Sequence, residues 1–355
     1  MKVIREGKEL INFCSNDYLG LATHPKVIEA ATVYTQKYGA GATASRLVSG
    51  NFSIHEQLEE ELKNTFGFDA AMLFNTGFQA NTTVIAALAD RNSLILADRK
   101  IHNSMLQGSI LSRAELKRFH HNDYAHLEQQ LKSAEGKEYN RIWILTETVF
   151  SMDGDRNDLD KLICLSEQYN ALLFSDDAHA IGVLGEKGLG LNHGKEGIDI
   201  SVGTFGKAFG VFGAFIGCSK PMKEYLVNHC PGFIYTTALP PGVVGAISKT
   251  LNLVPKMDDQ RDELLRNTAY IKAELQALGF NTADSDSQII PVIIGDEKDT
   301  MNLSGWLEEQ GIWASAIRPP TVQQGLSRIR ITLTAKHTKE QLNRLIRAFK
   351  EWGKR

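Results

Sequence analysis

Short apolar runs alternate with amphipathic segments along the chain, a pattern that is typical of α/β proteins. Six of these runs have strand length and are each followed by polar residues or glycine: residues 71–74, 94–97, 142–146, 172–175, 200–203 and 214–217. Continuous apolar strands fit a sheet whose two faces are both covered by helices. We therefore predict a central, mostly parallel sheet flanked by helices.

Two helices have recognisable ends. Ser53 and Glu56 form a capping-box pattern ahead of apolar residues at helical spacing, and Gly67 provides a stop. The last helix is predicted to begin near Thr338, with Gln341 three residues further on. The apolar faces of both helices predict packing against a core.

The pattern changes after residue 240, where two prolines follow each other. We predict an N-terminal arm over residues 1–45, a large domain over 46–240 and a small C-terminal α+β domain over 241–355. Within the arm and the small domain, the predicted elements are a strand at 10–14, a helix at 25–38, a long helix at 243–278 and strands near 289–294, 313–317 and 329–333.

Composition then excludes several classes of protein. The chain has 355 residues, a net charge of −3 and four cysteines without a C-x-x-C pair. This charge gives no support for nucleic-acid binding, and no apolar run reaches the ~18–20 residues that span a bilayer. The first residues lack the apolar stretch of a secretory signal. We therefore expect a cytoplasmic protein with reduced thiols and no membrane or nucleic-acid partner.

In sheets of this kind, ligands bind beyond the carboxyl ends of the strands. The residues that follow the predicted strands are 75–78, 98, 147–153, 176–179 and 204–207. They are rich in side chains that can bind ligands or move protons, so we expect the functional site there.

Three of these segments indicate specific chemistry. Asp176 ends a strand and His179 follows three residues later, although such a pair also occurs as a helix cap. Lys207 lies in a glycine-rich turn; a surface charge is the usual interpretation of such a lysine, but its apolar neighbours weaken it, because desolvation makes an amine nucleophilic. Gly77 opens a predicted helix, whose backbone amides suit a phosphate; a plain strand-to-helix turn is the alternative.

Together the three segments predict pyridoxal phosphate, because this cofactor needs an amine for its aldehyde, a carboxylate for its ring nitrogen and a phosphate cradle. The glycine-rich stretch 206–213 does not read G-x-G-x-x-G, and Lys207 is not followed by the Ser or Thr of a P-loop. Four residues could be drawn as a metal cluster, but a solvated loop is the favoured interpretation and no metal is expected: His120, His121, Asp123 and His126.

At this point the chain resembles the α-oxoamine synthase family of fold-type-I pyridoxal-phosphate enzymes, over nearly its whole length. The resemblance lies in NFCSNDYLGL at 12–21, SRLVSG at 45–50, VFSMDGD at 149–155, SDDAH at 175–179, TFGKAFG at 204–210, IYTTALPP at 234–241 and AIRPPTV at 316–322. It implies a large domain with the central sheet and a smaller α+β domain. It also implies a shortened N-terminal arm, because family members have a further helical segment before residue 12.

The resemblance implies roles for the residues that would hold the cofactor. Lys207 would form the Schiff base and remove the α-proton, Asp176 would pair with the pyridine nitrogen, and His102 would stack on the ring. Ser151 and His179 would hydrogen-bond the phenolic oxygen. The phosphate would be held by Gly77, Phe78, Thr204 and, from the partner subunit of a homodimer, Thr236 or Thr237.

The resemblance also implies substrate contacts. Asn16 and Arg330 would bind the amino-acid carboxylate, which suits the guanidinium fork of an arginine. Arg318 and Thr321 would contact the acyl substrate. Arg328 is left out, because alternation along a strand also explains its position.

The implied reaction is a decarboxylative condensation of an amino acid with an acyl thioester. The sequences of residues 204–211 and 318–322 most resemble the family member that acts in biotin biosynthesis. The resemblance therefore favours L-alanine and a pimeloyl thioester of CoA or acyl carrier protein as substrates. Three alternatives stay open. They are a sibling that joins glycine to acetyl-CoA, an aminotransferase on the same fold, and a cofactor-binding protein that has lost catalysis.

Overall fold

A computed structural model describes residues 2–354 of the chain. Its strands are β1 (Lys2–Arg5), β2 (Lys8–Asn12), β3 (Ala70–Phe74), β4 (Ser93–Asp98), β5 (Glu115–Phe119), β6 (Arg141–Glu147), β7 (Leu172–Asp176), β8 (Ile200–Thr204), β9 (Ala214–Cys218), β10 (Ile289–Gly295), β11 (Ile312–Trp313), β12 (Ser315–Ile317) and β13 (Ser327–Thr332).

Its α-helices are α1 (Pro25–Tyr38), α2 (Ser53–Phe66), α3 (Gly77–Leu88), α4 (Asn103–Ser112), α5 (Tyr124–Lys132), α6 (Leu159–Gln168), α7 (Lys220–His229), α8 (Pro231–Ile234), α9 (Pro241–Leu253), α10 (Asp258–Ala277), α11 (Glu297–Glu309) and α12 (Lys339–Trp352). Among the described residues, none of these helices is both long and apolar enough to cross a membrane.

The chain divides into two compact units. The larger unit comprises Leu21–Val149 and Asn157–Lys256. The smaller unit comprises the residues up to Gly20, Phe150–Arg156 and the residues from Met257 onward. The predicted ranges 1–45, 46–240 and 241–355 do not coincide with these units, because α9 packs against α1 and α2.

The larger unit is built on a seven-stranded sheet in the order β3-β9-β8-β7-β6-β4-β5. The strands from β8 to β5 are parallel, whereas β9 runs antiparallel to both of its neighbours. The six predicted strands and the mostly parallel sheet are therefore confirmed. This arrangement places the carboxyl ends of β6, β7 and β8 side by side.

Helices cover both faces of this sheet. On one face, Val84 of α3 and Met105 of α4 pack in one apolar cluster with Phe174 of β7. On the other face, Leu127 of α5 and Leu162 of α6 belong to a second cluster. The strands read as continuous apolar runs because both of their faces are buried.

The smaller unit contains two three-stranded sheets, in the orders β1-β2-β11 and β10-β13-β12, with helices α10, α11 and α12. Thr338 caps α12, where its side chain accepts from the backbone N–H of Gln341 while Gln341 reaches back to Thr338. The predicted start of this helix is therefore confirmed.

Three local predictions were wrong. The proposed long helix is broken by a 3₁₀ turn at Val254–Lys256, because Pro255 cannot donate a helical hydrogen bond. The proposed capping box of Ser53 and Glu56 does not form, because α2 begins at Ser53 itself. Its reciprocal contact comes from His55, whose Nδ1 accepts from the backbone of Phe52. The proposed strand at 313–317 is two short strands, β11 and β12.

Candidate active site

Asp176, the last residue of β7, is a buried carboxylate with fixed geometry. Its Oδ2 accepts a hydrogen bond from Nδ2 of Asn81 at 2.7 Å, and its Oδ1 accepts from the backbone of Ala178 at 2.9 Å. The side chain is 7% exposed. Each oxygen keeps a further lone pair for a donor, because an ionised carboxylate accepts about four hydrogen bonds.

His102 is connected to Asp176 through two buried side chains. Nδ2 of Asn81 also donates to Oγ of Ser104 at 3.0 Å, and that oxygen lies 2.7 Å from Nδ1 of His102. The backbone N–H of Ser104 donates to the same Nδ1 at 3.2 Å. Nδ1 is therefore an acceptor, which assigns the proton of the neutral imidazole to Nε2.

The environment of His102 favours this neutral form. The residue is exposed, but partial desolvation of its ring lowers its pKa; Asp176 raises that pKa and the positive charge of Lys207 lowers it. His102 is also the residue that precedes α4, so the helix start fixes its backbone. A neutral, exposed imidazole of this kind can stack on a flat ring.

Lys207 lies in the turn between β8 and β9. It is partly buried, whereas Phe205, Ala208 and Phe209 around it are fully buried. The turn closes at Gly210, whose φ is +65° and whose added Cβ would lie 2.3 Å from the backbone nitrogen of Ala22. Packing therefore holds the turn in place. The charge of Lys207 lowers the pKa of both His102 and Glu147, which groups it with the residues at these strand ends.

The predicted phosphate turn precedes α3. Thr76 caps this helix, since its side chain accepts from the backbone of Gln79 at 3.0 Å. Gly77 is the first helical residue, and a Cβ built on it would lie 3.9 Å from the Cβ of Thr204. Gly77 and Thr204 are therefore neighbours beside a helix N-terminus, where the helix dipole favours a negative charge. Phe78 is 50% exposed and meets the His102 ring edge-on, with centroids 6.5 Å apart.

These residues fit pyridoxal phosphate. Asp176 offers a lone pair to a protonated ring nitrogen, and His102 offers an exposed imidazole face. Gly77 leaves open space that a side chain would fill, next to the hydroxyl of Thr204. His179, three residues after Asp176, is 5% exposed.

Thr236 and Thr237 lie against the turn before α3 of their own chain. Nε2 of Gln79 donates to Oγ1 of Thr236 at 2.7 Å, and Nδ2 of Asn75 donates to the carbonyl of Thr237 at 3.0 Å. That one of them reaches the phosphate of a partner subunit stays a prediction.

In the smaller unit, Arg330 on β13 is 8% exposed and has only neutral partners among residues 2–354. Its Nε donates to the carbonyl of Ser151 at 2.7 Å, and its Nη1 donates to Oγ1 of Thr332 at 3.1 Å. Both Nη atoms lie 3.4 Å from Oδ1 of Asn16. A buried guanidinium with neutral partners is suited to bind a carboxylate.

Arg328, two residues earlier on the same strand, has a different environment. Its Nη1 lies 2.6 Å from Oδ1 of Asp153, in a buried ion pair. Its charge is therefore already balanced within the protein, which agrees with leaving this residue out of the predicted site.

Two further predicted groups lie at the surface. Arg318 and Thr321 are exposed in a turn after β12, where the backbone of Thr321 donates to the carbonyl of Arg318 at 3.0 Å. In the larger unit, ligand atoms of His120, Asp123 and His126 lie within 4.8 Å of one another. Local contacts account for this cluster, because Asp123 caps α5 by accepting from the backbone of His126.

Sequence reasoning missed Asn81, Ser104 and Glu147. Glu147 ends β6 and lies in the segment 147–153 that was predicted to hold chemistry, but no role was assigned to it. Asn81 and Ser104 lie inside helical segments, and only the packing of α3 against α4 brings them together.

Comparison with known proteins gives a consistent result. The family model described as aminotransferase class I and II matches residues 8–349. A protein of Desulfosudis oleivorans, provisionally named 8-amino-7-oxononanoate synthase, is 49% identical over 98% of this chain and 90% of its own length.

Two solved structures are also similar. A structure of SPT with a pyridoxal phosphate internal aldimine superposes with a TM-score of 0.95 at 28% identity, covering 99% of this chain and 89% of that one. The 8-amino-7-oxononanoate synthase of Francisella tularensis superposes with a TM-score of 0.84 at 29% identity, covering 97% of this chain and 98% of that one.

Proposed function

The chain belongs to the aminotransferase class I and II family and, within it, to the pyridoxal-phosphate-dependent α-oxoamine synthases, and on this basis we propose that it condenses L-alanine with a pimeloyl thioester. The products would be 8-amino-7-oxononanoate, CO₂ and a free thiol, as a step of biotin biosynthesis. The observation that carries the cofactor chemistry of this proposal is the grouping of Asp176, His102 and Lys207 near the strand ends. The names of the relatives support the choice of substrates.

We propose that the larger unit holds the cofactor. Asp176 would accept the proton of the ring nitrogen, His102 would stack on the ring, and His179 would bond the phenolic oxygen. The N-terminus of α3 at Gly77 and Phe78, with the Thr204 hydroxyl, would bind the phosphate.

When bound, pyridoxal phosphate supplies a carbonyl for amines and a ring that accepts the electron pair left by a departing proton or CO₂. Lys207 is the chain's own base in this scheme: its Nζ takes the proton from the alanine Cα. That carbon then forms a bond to the thioester carbonyl carbon, and the carbon–sulfur bond breaks to release the thiol. Loss of the original carboxyl group as CO₂ leaves an electron pair for that carbon, which takes a proton back from Nζ of Lys207, and the released thiolate takes a proton from solvent. The Asp176 carboxylate would favour the protonated form of the ring nitrogen, which serves both deprotonation and decarboxylation.

Arg330 and Asn16 would bind the carboxylate of alanine. A buried arginine without an acidic partner in the described part of the chain supports this assignment. Arg318 and Thr321 would contact the acyl substrate, for which their exposed turn leaves them accessible.

A thiol-release panel tests the substrates. We expect L-alanine with pimeloyl-CoA or a pimeloyl acyl carrier protein to release thiol faster than serine with palmitoyl-CoA or glycine with acetyl-CoA. Faster turnover of glycine and acetyl-CoA would instead assign the chain as a 2-amino-3-ketobutyrate CoA ligase. Exchange of amino groups with a keto acid, without thiol release, would assign it as an aminotransferase.

Attachment of the cofactor is tested separately. Borohydride reduction of the holoenzyme should fix the cofactor on the peptide that contains Lys207, as located by mass spectrometry. Lys207→Ala should abolish both this mass increase and the visible absorbance band. Persistence of the band in Lys207→Ala would show that another residue carries the cofactor.

We also propose that the active form is a cytoplasmic homodimer. Val48 and Tyr235 of the larger unit are 79% and 82% exposed, and Phe78 and Phe212 are about half exposed. These side chains would be available to a subunit interface, which the resemblance to the family implies. Analytical ultracentrifugation should give twice the mass of the chain, and Tyr235→Glu should shift it toward the monomer. A wild-type monomer at micromolar concentration would contradict this.

A further inference from the structure

Glu147 is a buried carboxyl group in direct register with Asp176. It ends β6, and the β6–β7 ladder pairs it with Asp176 across the sheet. Its side chain is 3% exposed, and the backbone N–H of His102 is near enough to lower the pKa of its carboxyl group. Its Oε1 is buried and has no hydrogen-bond partner among residues 2–354.

Two carboxylates cannot both be ionised cheaply at such a place. Burial raises the pKa of Glu147 well above its usual range, and the charges of Asp176 and Asp98 raise it further. Lys207 and the His102 amide act in the opposite direction and do not outweigh burial. When two acids share a site, one keeps its proton. Asp176 has donors on both oxygens, so the proton belongs on Glu147.

We infer that Glu147 is a positioning residue of this site: a neutral carboxylic acid that holds the backbone of His102 and leaves Asp176 as the carboxylate of the pair. The inference rests on the proposed function, because it assigns His102 and Asp176 to the cofactor ring. One oxygen of Glu147 accepts from the His102 amide and so fixes where the imidazole begins. The other oxygen carries the proton.

A neutral Glu147 affects the reactivity of the Lys207 amine. A second negative charge at these strand ends would stabilise the protonated form of that amine and oppose its reaction with an aldehyde. It would also compete with Asp176 for the ring proton. A neutral acid instead gives the His102 backbone an acceptor without adding charge.

Two variants of similar size separate these roles. Glu147→Gln keeps a neutral side chain with a carbonyl acceptor, whereas Glu147→Leu keeps the volume and removes the acceptor. The first measurement is the dissociation constant of pyridoxal phosphate, by absorbance titration of each apoprotein. We expect Glu147→Leu to bind at least about fivefold more weakly than Glu147→Gln, because it leaves the His102 amide unpaired. A ratio below about fivefold would overturn the positioning role.

The second measurement is the pH titration of the visible band of the wild-type and Glu147→Gln holoenzymes. A neutral glutamic acid predicts that the midpoint moves by less than about half a pH unit. A charged glutamate within about 4–6 Å of the lysine would move it by about one unit or more when removed. A shift of about half a unit or more therefore overturns the assignment of a neutral acid.

A third measurement remains decisive if Glu147→Leu does not fold. The infrared difference spectrum of wild type minus Glu147→Gln at neutral pH should contain the carbonyl stretch of a protonated carboxylic acid. A carboxylate band in its place would overturn the inference. None of these readouts involves a thioester, so failure of the substrate panel leaves the inference standing. Failure of wild type to bind the cofactor would remove both.

Discussion

Arg330 and Arg328 offer a matched pair of substitutions on one strand. We expect Arg330→Gln to weaken L-alanine binding by about 150-fold and Arg330→Lys by about tenfold. The two Nη contacts of Arg330 to Asn16 are long, at 3.4 Å, and their acceptor is neutral, so a carboxylate can displace them. Hydrogen bonds to charged groups contribute about 1.5–3 kcal/mol. Loss of a forked pair of about 3 kcal/mol corresponds to about 150-fold, at about 1.4 kcal/mol per factor of ten.

The assay is a titration of each holoenzyme with L-alanine, followed by the change in its visible absorbance, with the KM for L-alanine measured alongside. Arg328→Lys is the control, because it makes the same exchange at an arginine already paired with Asp153. It should lower the free energy of unfolding by about 1 kcal/mol, because a hydrogen bond of the guanidinium is lost, and leave alanine affinity within about twofold. An Arg330→Gln protein that binds alanine within about threefold of wild type would refute the reasoning.

Three further predictions address the larger unit. Gly77→Ala should leave the Tm unchanged, because the nearest atom to the new Cβ is 3.9 Å away. The new methyl group should weaken cofactor binding at least about tenfold, because it fills the space proposed for the phosphate. Unchanged affinity in a fluorescence titration would contradict this. Ser104→Ala should lower the free energy of unfolding in urea by about 1 kcal/mol and shift the absorbance of the bound cofactor, because the His102 ring loses its contact with the Ser104 hydroxyl. No change in either quantity would count against the hydrogen-bond network of Asn81, Ser104 and His102. Burial raises the pKa of Glu59, but Arg46 and Lys223 lower it by more, so the net pKa lies below the ordinary value of 4.5. The ionised Glu59 therefore stabilises the folded protein above pH 4.5, and this contribution is lost as the pH falls through the lowered pKa. Glu59→Gln should remove this loss, and equal urea midpoint shifts between about pH 7 and about pH 4 in both proteins would argue against it.

The central sheet could be predicted from the sequence because both of its faces are buried, so its strands are continuous runs of apolar residues. Strand β5, at the other edge of the sheet from β3, was missed because it is only partly buried and its sequence ELKRF contains three charged residues. The broken helix at Pro255 was missed because apolar spacing continued on both sides of the proline.

The candidate site shows a similar division. Asp176, Lys207 and Gly77 follow strands and carry distinctive chemistry, so their grouping could be predicted from the topology of parallel sheets. Asn81 and Glu147 could not, because their significance depends on which helix packs on which strand and on the register between β6 and β7. Contacts between residues that are far apart in the chain cannot be predicted from a local sequence pattern.

The pairing of β3 with the later strand β9 affects how the chain folds during synthesis. Because β3 is an edge strand and pairs with β9 alone among residues 2–354, the turn before α3 and the turn that contains Lys207 are held together by residues 70–74 and 214–218. Until the later segment has left the ribosome, the earlier one exposes an unpaired backbone edge. Nascent chains arrested before that point should bind chaperones and be cleaved by protease, and chains arrested well beyond it should be protected.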